Sequence, residues 1–363
     1  MHIVFLSYHY SPDIRSPEAW FERIGYYKRW AEILAEKHTI SRVDQINFEG
    51  TVTHNGIHYH FVRDKDKSRY IPTNLNNFVR SLKPDIVVVS SFLYPLQLIQ
   101  LRKCLGKGMR ILVQNHAERP FSGLKKWIQN LASRYADFFL FTNPETGMEW
   151  VRSGNIHSQN KIAGLLEVSS NFYPIEKPIA KDKTGSSGSP AFIWVGRLNQ
   201  NKDPVTVVKA FLRFSSEQPL ARLYMIYQTK ELLADLKKIV EGSTFAELIV
   251  FVGEQEHNHL LYWYNSADFF LSASHHEGSG TALCEALSCG CIPIVSNIPP
   301  FRLIAGSTGL FFEPGDVDGL LASLRGAMEL DRQEKRNQAL DHFKNELSFE
   351  SIAKKFQDIV SSL

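Results

Sequence analysis

Cysteine is scarce: Cys104, Cys284, Cys289 and Cys291 are the only four in 363 residues. So few thiols exclude a disulfide framework and point to a reducing compartment. Long apolar runs are also lacking. No uncharged stretch exceeds 16 residues, and Ile86 to Leu101, one of that length, is interrupted by Ser90, Ser91, Pro95, Gln97 and Gln100. It falls short of the roughly 20 apolar residues that a spanning helix requires. The opening MHIVFLSYHY has none of the basic segment, apolar core and small-residue cleavage site of a secretory leader, so it reads as a buried strand and a cytoplasmic location is expected. Charge of one sign is scarce as well. The net charge of +3, from 41 Lys+Arg against 38 Asp+Glu, argues against a dedicated nucleic-acid binder. Its distribution is uneven, with 22 basic against 15 acidic residues over 1–171 and 19 against 23 thereafter. The basic first half is either a solvated surface or a face for an anionic partner, such as a phosphate-bearing acceptor or a membrane.

What is present suits a soluble α/β protein. At 44% hydrophobic and 12% aromatic, the chain can bury large cores, and its length predicts two domains. Apolar runs such as HIVFLSY, DIVVVSS, MRILVQN, AFIWVGR and LIVFVG alternate with amphipathic stretches, the pattern of strand–helix–strand units in parallel sheets. Ser16 and Pro17 open a helix in which Trp20, Ile24, Tyr27, Ala31 and Leu34 recur at helical spacing. THNGIHYHFV carries a hairpin signal at Asn55-Gly56. Between Tyr173 and Pro190 periodicity gives way to Pro, Lys, Gly and Ser, which predicts a linker. The reading is an N-terminal domain over 1–171, a linker over 172–190, a second α/β domain over 191–344 and an amphipathic terminal helix over 345–363.

The chemistry concentrates in EGSGTALCEALSCG. Glu277 follows a strand, Gly278 and Gly280 bracket Ser279, a helix starts near Thr281, and Glu285 lies about one turn in. Glycine lets a ligand approach the backbone, and a helix N-terminus offers unpaired N–H groups and a positive dipole end, so an anionic diphosphate fits there. Glu285 suits a pair of vicinal hydroxyls such as those of a ribose, and Glu277 those of a sugar ring. The plainer alternative is a tight strand-to-helix turn with solvated carboxylates. A nicotinamide-cofactor loop fits poorly, because Leu283 occupies the place of a third glycine and IPIVSN ends without an acidic residue. VGRLNQNKDP follows another strand, which would put Arg197 and Lys202 on the same rim of the sheet. Two cations there would grip a diphosphate and neutralise charge developing on it.

These segments, VGRLNQNKDPVTVVKAF, ADFFLSASHHEGSGTALCEALSCGCIPIVS and STGLFFEPGDVDGL, resemble the retaining GT-B glycosyltransferases of family four, the glycosyl transferases group 1. The resemblance covers most of the second domain, with looser agreement in the YSPDIRSPEAW, KPDIVVVSS and NHAER segments of the first. It implies two Rossmann-like, doubly wound domains facing across a cleft, the second holding a nucleotide-sugar donor and the first a glycan, lipid-linked or small-molecule acceptor. It also implies a terminal helix returning to the first domain, retention of anomeric configuration, and no metal or other cofactor. By the same resemblance Arg197 and Lys202 bind the diphosphate, Glu277 the transferred sugar, and the backbone of Gly278, Ser279, Gly280, Thr281 and Ala282 the sugar and phosphate. Glu285 takes the ribose, Gly253 and Glu254 the turn beside the base, and His116 faces the donor sugar. Reaction would then be a front-side displacement in which the departing phosphate takes the acceptor proton, with Glu277, His116, Arg197 and Lys202 as the catalytic set.

Three departures stand out. Arg15 and Ser16 replace two glycines often found after the first strand, so either Arg15 supplies a charge to the diphosphate or the backbone's approach to it is lost. Tyr227 and Gln228 follow ARLYMIY where the family tends to have glycine, and Glu167-Val168-Ser169-Ser170 replaces an Asn-Gly-x-Asp turn. Other signals read as structure. His54, His58 and His60 lack a fourth metal ligand, Cys284, Cys289 and Cys291 lack paired spacing, and Asp64-Lys65-Asp66 sits in a charge run. The competing functional reading is a nucleotide-sugar binder of the same fold that has lost catalysis. A lipid-linked acceptor would make the protein peripheral on an anionic membrane face.

Overall fold

The buried apolar runs form two separate sheets, the first parallel but for one edge strand and the second wholly parallel, each in its own structural unit. The computed structural model describes residues 1–25, 29–63, 70–116 and 118–362, and the units are Met1–Glu167 with Phe349–Leu363, and Val168–Ser348.

In the first unit, β1 (His2–Ser11) leads to α1 (Pro17–Ile24), with Pro17 in its first turn and Ser16 Oγ accepting from Ala19 N at 3.2 Å. The sequence predicts one helix through Leu34. Instead Gly25, at φ +48, ends α1, and α2 spans Arg29–Ala35. A positive φ, open to glycine at little cost, stops a helix in a way that apolar spacing does not register. Tyr27, expected within that helix, lies outside the described residues, as does the Asp64-Lys65-Asp66 run. There follow β2 (Thr39–Ile46), β3 (Gly50–His54) and β4 (Ile57–Val62), the last two an antiparallel hairpin turning at Asn55 and Gly56, φ +49 and +78. His58 and His60 are spent on cross-strand contacts, 3.0 Å from the hydroxyls of Thr53 and Thr51. Next come α3 (Thr73–Ser81), β5 (Ile86–Ser90), α4 (Pro95–Leu105), β6 (Arg110–Gln114), α5 (Gly123–Ser133), β7 (Phe138–Phe141), α6 (Pro144–Arg152) and β8 (Ile162–Gly164). The sheet order is β3-β4-β2-β1-β5-β6-β7-β8, around a core that includes Val4, Leu6, Val87, Val89, Val113 and Phe139.

The second unit contains α7 (Lys177–Thr184), β9 (Ala191–Gly196), α8 (Pro204–Ser215), β10 (Arg222–Tyr227), α9 (Leu233–Glu241), β11 (Ile249–Gly253) and α10 (His257–Ser266). It continues with β12 (Phe269–Ser272), α11 (Thr281–Ser288), β13 (Ile292–Ser296), α12 (Pro299–Ala305), β14 (Leu310–Phe312), α13 (Val317–Met328) and α14 (Arg332–His342). Its order is β11-β10-β9-β12-β13-β14, all parallel. Phe192, Phe211, Phe214 and Phe269 are wholly buried at its centre, each contributing about 1.5–3 kcal/mol of hydrophobic stabilisation.

The stretch 172–190 is not the open linker its composition predicts. It holds α7, closed by Gly185 at φ +66, and α7 packs on α10. Lys177 pairs with Asp268, and Ser187 N donates to Tyr224 Oη at 2.6 Å. Within α7 only Ala180 is buried, and with these polar ties it provides too few anchors to leave a periodic trace. The final helix, α15 (Phe349–Ser361), belongs to the first unit and lies on α2, its Phe356 ring 5.3 Å from that of Trp30.

Candidate active site

In the second sheet the strand order reverses between β9 and β12, and in open α/β sheets the crevice at such a reversal, outside the strands' carboxyl ends, is where ligands bind. The loops carrying both predicted charge clusters leave from these two neighbouring strands. They are latched to each other: His275 N donates to the Asn201 carbonyl at 2.8 Å, and Asn201 Nδ2 donates to the His276 carbonyl at 3.0 Å. Lys202 N donates to Asn199 Oδ1 at 3.0 Å. Asp203, in a left-handed conformation at φ +42, caps α8 by accepting from Thr206 N at 3.1 Å, and its other oxygen lies 3.3 Å from His275 Nε2. The outcome is an ion pair between Lys202 Nζ and Glu277 Oε1, both largely shielded from solvent.

Beyond Glu277 the chain turns through exposed Gly278 and half-buried Ser279 to Gly280, the cap of α11, at φ +65. A Cβ on Gly280 would lie 2.5 Å from Ile304 Cδ1, so both the backbone angle and the packing require glycine. Thr281 and Ala282 open the helix, and the Thr281 hydroxyl is 3.3 Å from that of Ser279.

Glu285, one turn in, is buried and held from α10: His257 Nε2 lies 2.7 Å from Oε1, and Tyr264 Oη donates to Oε2 at 3.0 Å. The Glu285 carboxylate raises the His257 pKa through that hydrogen bond, against the effect of burial. Tyr264 is pushed well above its ordinary value, first by burial and then by Glu285. His257 and Tyr264 carry no motif, and only their spacing of seven, one face of a helix, links them in sequence. α10 follows β11, which ends in Gly253 at φ +88 and the exposed Glu254. Arg197, directly after β9, is exposed with no side-chain partner among the described residues. Cys284, Cys289 and Cys291 are buried, and burial lifts the thiols of Cys284 and Cys291 to about 12.

In the first unit the corresponding reversal lies between β1 and β5. Exposed Arg15 and the capping Ser16 follow β1. His116 follows β6, with Nδ1 2.8 Å from Glu167 Oε1. Burial works against its charged form, but Glu167 and, more weakly, Glu118 raise its pKa above the ordinary histidine value. Glu118 also accepts from His116 N at 3.1 Å and from Asn115 Nδ2 at 2.6 Å. Glu167, visible in the sequence only as a departure from a family turn, is thus the partner of His116.

Residues 176–342 match the family described as glycosyl transferases group 1. The match lies within the second unit and covers less than half of the chain. The matched stretch contains both latched loops and the Glu285 cluster. A GDP-mannose:cellobiosyl-diphosphopolyprenol alpha-mannosyltransferase of Xanthomonas campestris is 29% identical over 140 residues, a match covering 37% of this chain and 37% of that protein. Solved structures agree over essentially the whole chain, in fold alone. A glycosyltransferase from Rickettsia africae superposes with a TM-score of 0.72 at 14% identity, covering 99% of this chain and 98% of that one. Anabaena HepE in complex with UDP gives 0.72 at 12% identity, covering 100% of both. Two Rossmann-like domains of this kind constitute the GT-B fold, and the matched stretch lies in the second of them.

Proposed function

We propose that this protein transfers a sugar from a nucleoside-diphosphate sugar to a glycan or lipid-linked acceptor in bacterial-type polysaccharide or glycolipid synthesis, with retention of anomeric configuration and without a metal. The observation that carries this reading is the Lys202–Glu277 pair, set at the strand-order reversal beside the Gly278–Gly280 turn and the start of α11. Lys202 and Arg197 bind the diphosphate and neutralise the charge it gains on leaving. The backbone of Gly278 to Ala282 lies against sugar and phosphate. Glu277 accepts from the donor sugar's hydroxyls, Glu285 from the ribose, and Gly253 and Glu254 border the base. His116 faces the donor sugar, with Arg15 and Ser16 beside the diphosphate on the acceptor side. The acceptor oxygen bonds to the anomeric carbon as the phosphate oxygen departs from the same face and takes the acceptor proton, so positioning and charge stabilisation supply the rate.

The Xanthomonas relative's name pairs a nucleotide sugar with a diphosphopolyprenol acceptor, which supports a lipid-linked acceptor here and a place at the cytoplasmic membrane face. No helix among the described residues is long and apolar enough to cross a membrane. The test is incubation of a panel of nucleotide sugars with chelator present, with and without lipid-linked acceptors, and NMR of the product's anomeric proton. The reading expects transfer with retention. Tight binding with no turnover across all acceptors indicates the inactive binder, and dependence on inorganic phosphate indicates a phosphorylase.

A further inference from the structure

The solvent-facing side of α5 is apolar. Leu124, Trp127 and Leu131, at helical spacings of three and four, are 84%, 74% and 50% exposed, while Gln129, Ala132 and Ser133 are buried against the unit. An ordinary surface helix shows the reverse polarity. Leu93 and Leu96, at the entrance to α4, are exposed on the neighbouring element. The turn holding them is fixed to α5 by Gln129 Nε2, which donates to the Phe92 carbonyl at 3.0 Å. These five are among twelve large exposed hydrophobics in the described residues, so the exposure is concentrated and not scattered.

Charge follows the same ground. Residues 86–136 hold eight Lys and Arg against one acidic residue, Glu118. The rest of 1–171 is then balanced at fourteen against fourteen, so this segment accounts for the whole basic surplus of the first half. Arg102 is buried and spent on Asp137 and backbone carbonyls. Arg119, Lys125 and Arg134 are exposed around α5, and Lys126 is half-buried beside them. An apolar stripe with an aromatic anchor and a cationic border, and with no acid from Arg119 to Ala136, complements an anionic lipid surface.

We propose that α5, with the α4 entrance, docks on an anionic bilayer, Leu124, Trp127 and Leu131 entering the headgroup boundary and Lys125, Lys126, Arg119 and Arg134 meeting lipid phosphates. The inference deepens the acceptor side of the function proposed above: α5 follows directly from the His116 loop, so docking would bring a lipid-linked acceptor's membrane to that loop's end of the unit.

Flotation with vesicles of phosphatidylglycerol and phosphatidylcholine in equal parts tests it, alongside hydrolysis of nucleotide sugar in solution. The wild type is expected to float with these vesicles, to be released by high salt, and to ignore pure phosphatidylcholine. A Leu124→Ser, Trp127→Ala, Leu131→Ser variant is expected to lose binding on the order of tenfold or more, with solution hydrolysis unchanged. Brominated lipid should quench wild-type tryptophan emission, and Trp127→Phe should remove that quenching while the protein still floats. A wild type indifferent to anionic vesicles, or a triple variant that floats equally well, overturns the proposal. So does a wild type that only self-associates and becomes monomeric in the triple variant, which assigns the face to a second copy. Vesicle binding without hydrolysis would count against the enzymatic reading and leave the docking surface standing.

Discussion

Lys202 and Glu277 stand 75 residues apart in sequence and form an ion pair at the carboxyl ends of two adjacent strands, β9 and β12. The loop-to-loop hydrogen bonds through Asn201 hold them there, so each side chain is positioned without a ligand. Donor phosphate would draw Lys202 away, and Glu277 would then be free for sugar hydroxyls. Replacing Glu277 by Gln is therefore expected to lower kcat on the order of a hundredfold or more, with nucleoside-diphosphate affinity and Tm nearly unchanged. Steady-state kinetics and calorimetry on one preparation check this.

On the proposed reading, His257 and Tyr264 orient Glu285 toward the ribose hydroxyls. The wild type should prefer a nucleoside diphosphate over its 2′,3′-dideoxy analogue by on the order of tenfold or more, and Glu285→Gln should abolish that preference. Tyr264→Phe, which removes one buried hydrogen bond, should cost about 1 kcal/mol of stability and leave the preference reduced but measurable. Competition binding and urea unfolding supply the two readouts.

His257 has a folded-state pKa raised above its unfolded value by Glu285, so the pair's stabilisation is fully present below the unfolded value, about 6.5, and is lost as pH rises through the folded one. The stability difference between wild type and His257→Gln should shrink across that interval. An NMR titration should place the His257 midpoint above the free-histidine value in the wild type and back near it in Glu285→Gln.

His116 is governed in the same direction by Glu167. Glu167→Gln should move the His116 midpoint to lower pH, and any limb of the pH–rate profile that reports His116 should move with it. A profile unmoved while the NMR midpoint shifts would remove His116's protonation from the reaction.

Gly280→Ala introduces a Cβ at φ +65 against Ile304 Cδ1. A loss of about 1–3 kcal/mol in stability is expected, together with weaker diphosphate binding, as the turn and the start of α11 shift. Adding Ile304→Val should recover part of the stability and little of the binding, because it relieves the clash and leaves the backbone angle strained.

Much of this arrangement was legible beforehand because it depends on strand ends. Apolar runs mark the strands, and glycines and charges placed after AFIWV and DFFLSAS necessarily fall on one rim once those strands are parallel neighbours. Ser16, Pro17 and Asn55-Gly56 act through local backbone preferences and so reveal a cap and a turn. The break at Gly25 and the docking of α7 were hidden, the first because periodicity continues on both sides of one positive φ, the second because a few polar ties replace an apolar stripe. His257, Tyr264 and Glu167 escaped for a common reason: each acts on a carboxylate or imidazole distant in sequence, and such pairings follow from tertiary packing alone.

The central claim is that Arg197 and Lys202 grip a nucleoside diphosphate at the β9 end. Isothermal titration of UDP and GDP in chelator-containing buffer, into the wild type and into Arg197→Ala/Lys202→Ala, tests it most directly. The account predicts saturable binding of at least one nucleotide by the wild type, and a loss of about 3 kcal/mol or more in the double variant at unchanged Tm. Binding of equal strength by both proteins, or by neither, would contradict it.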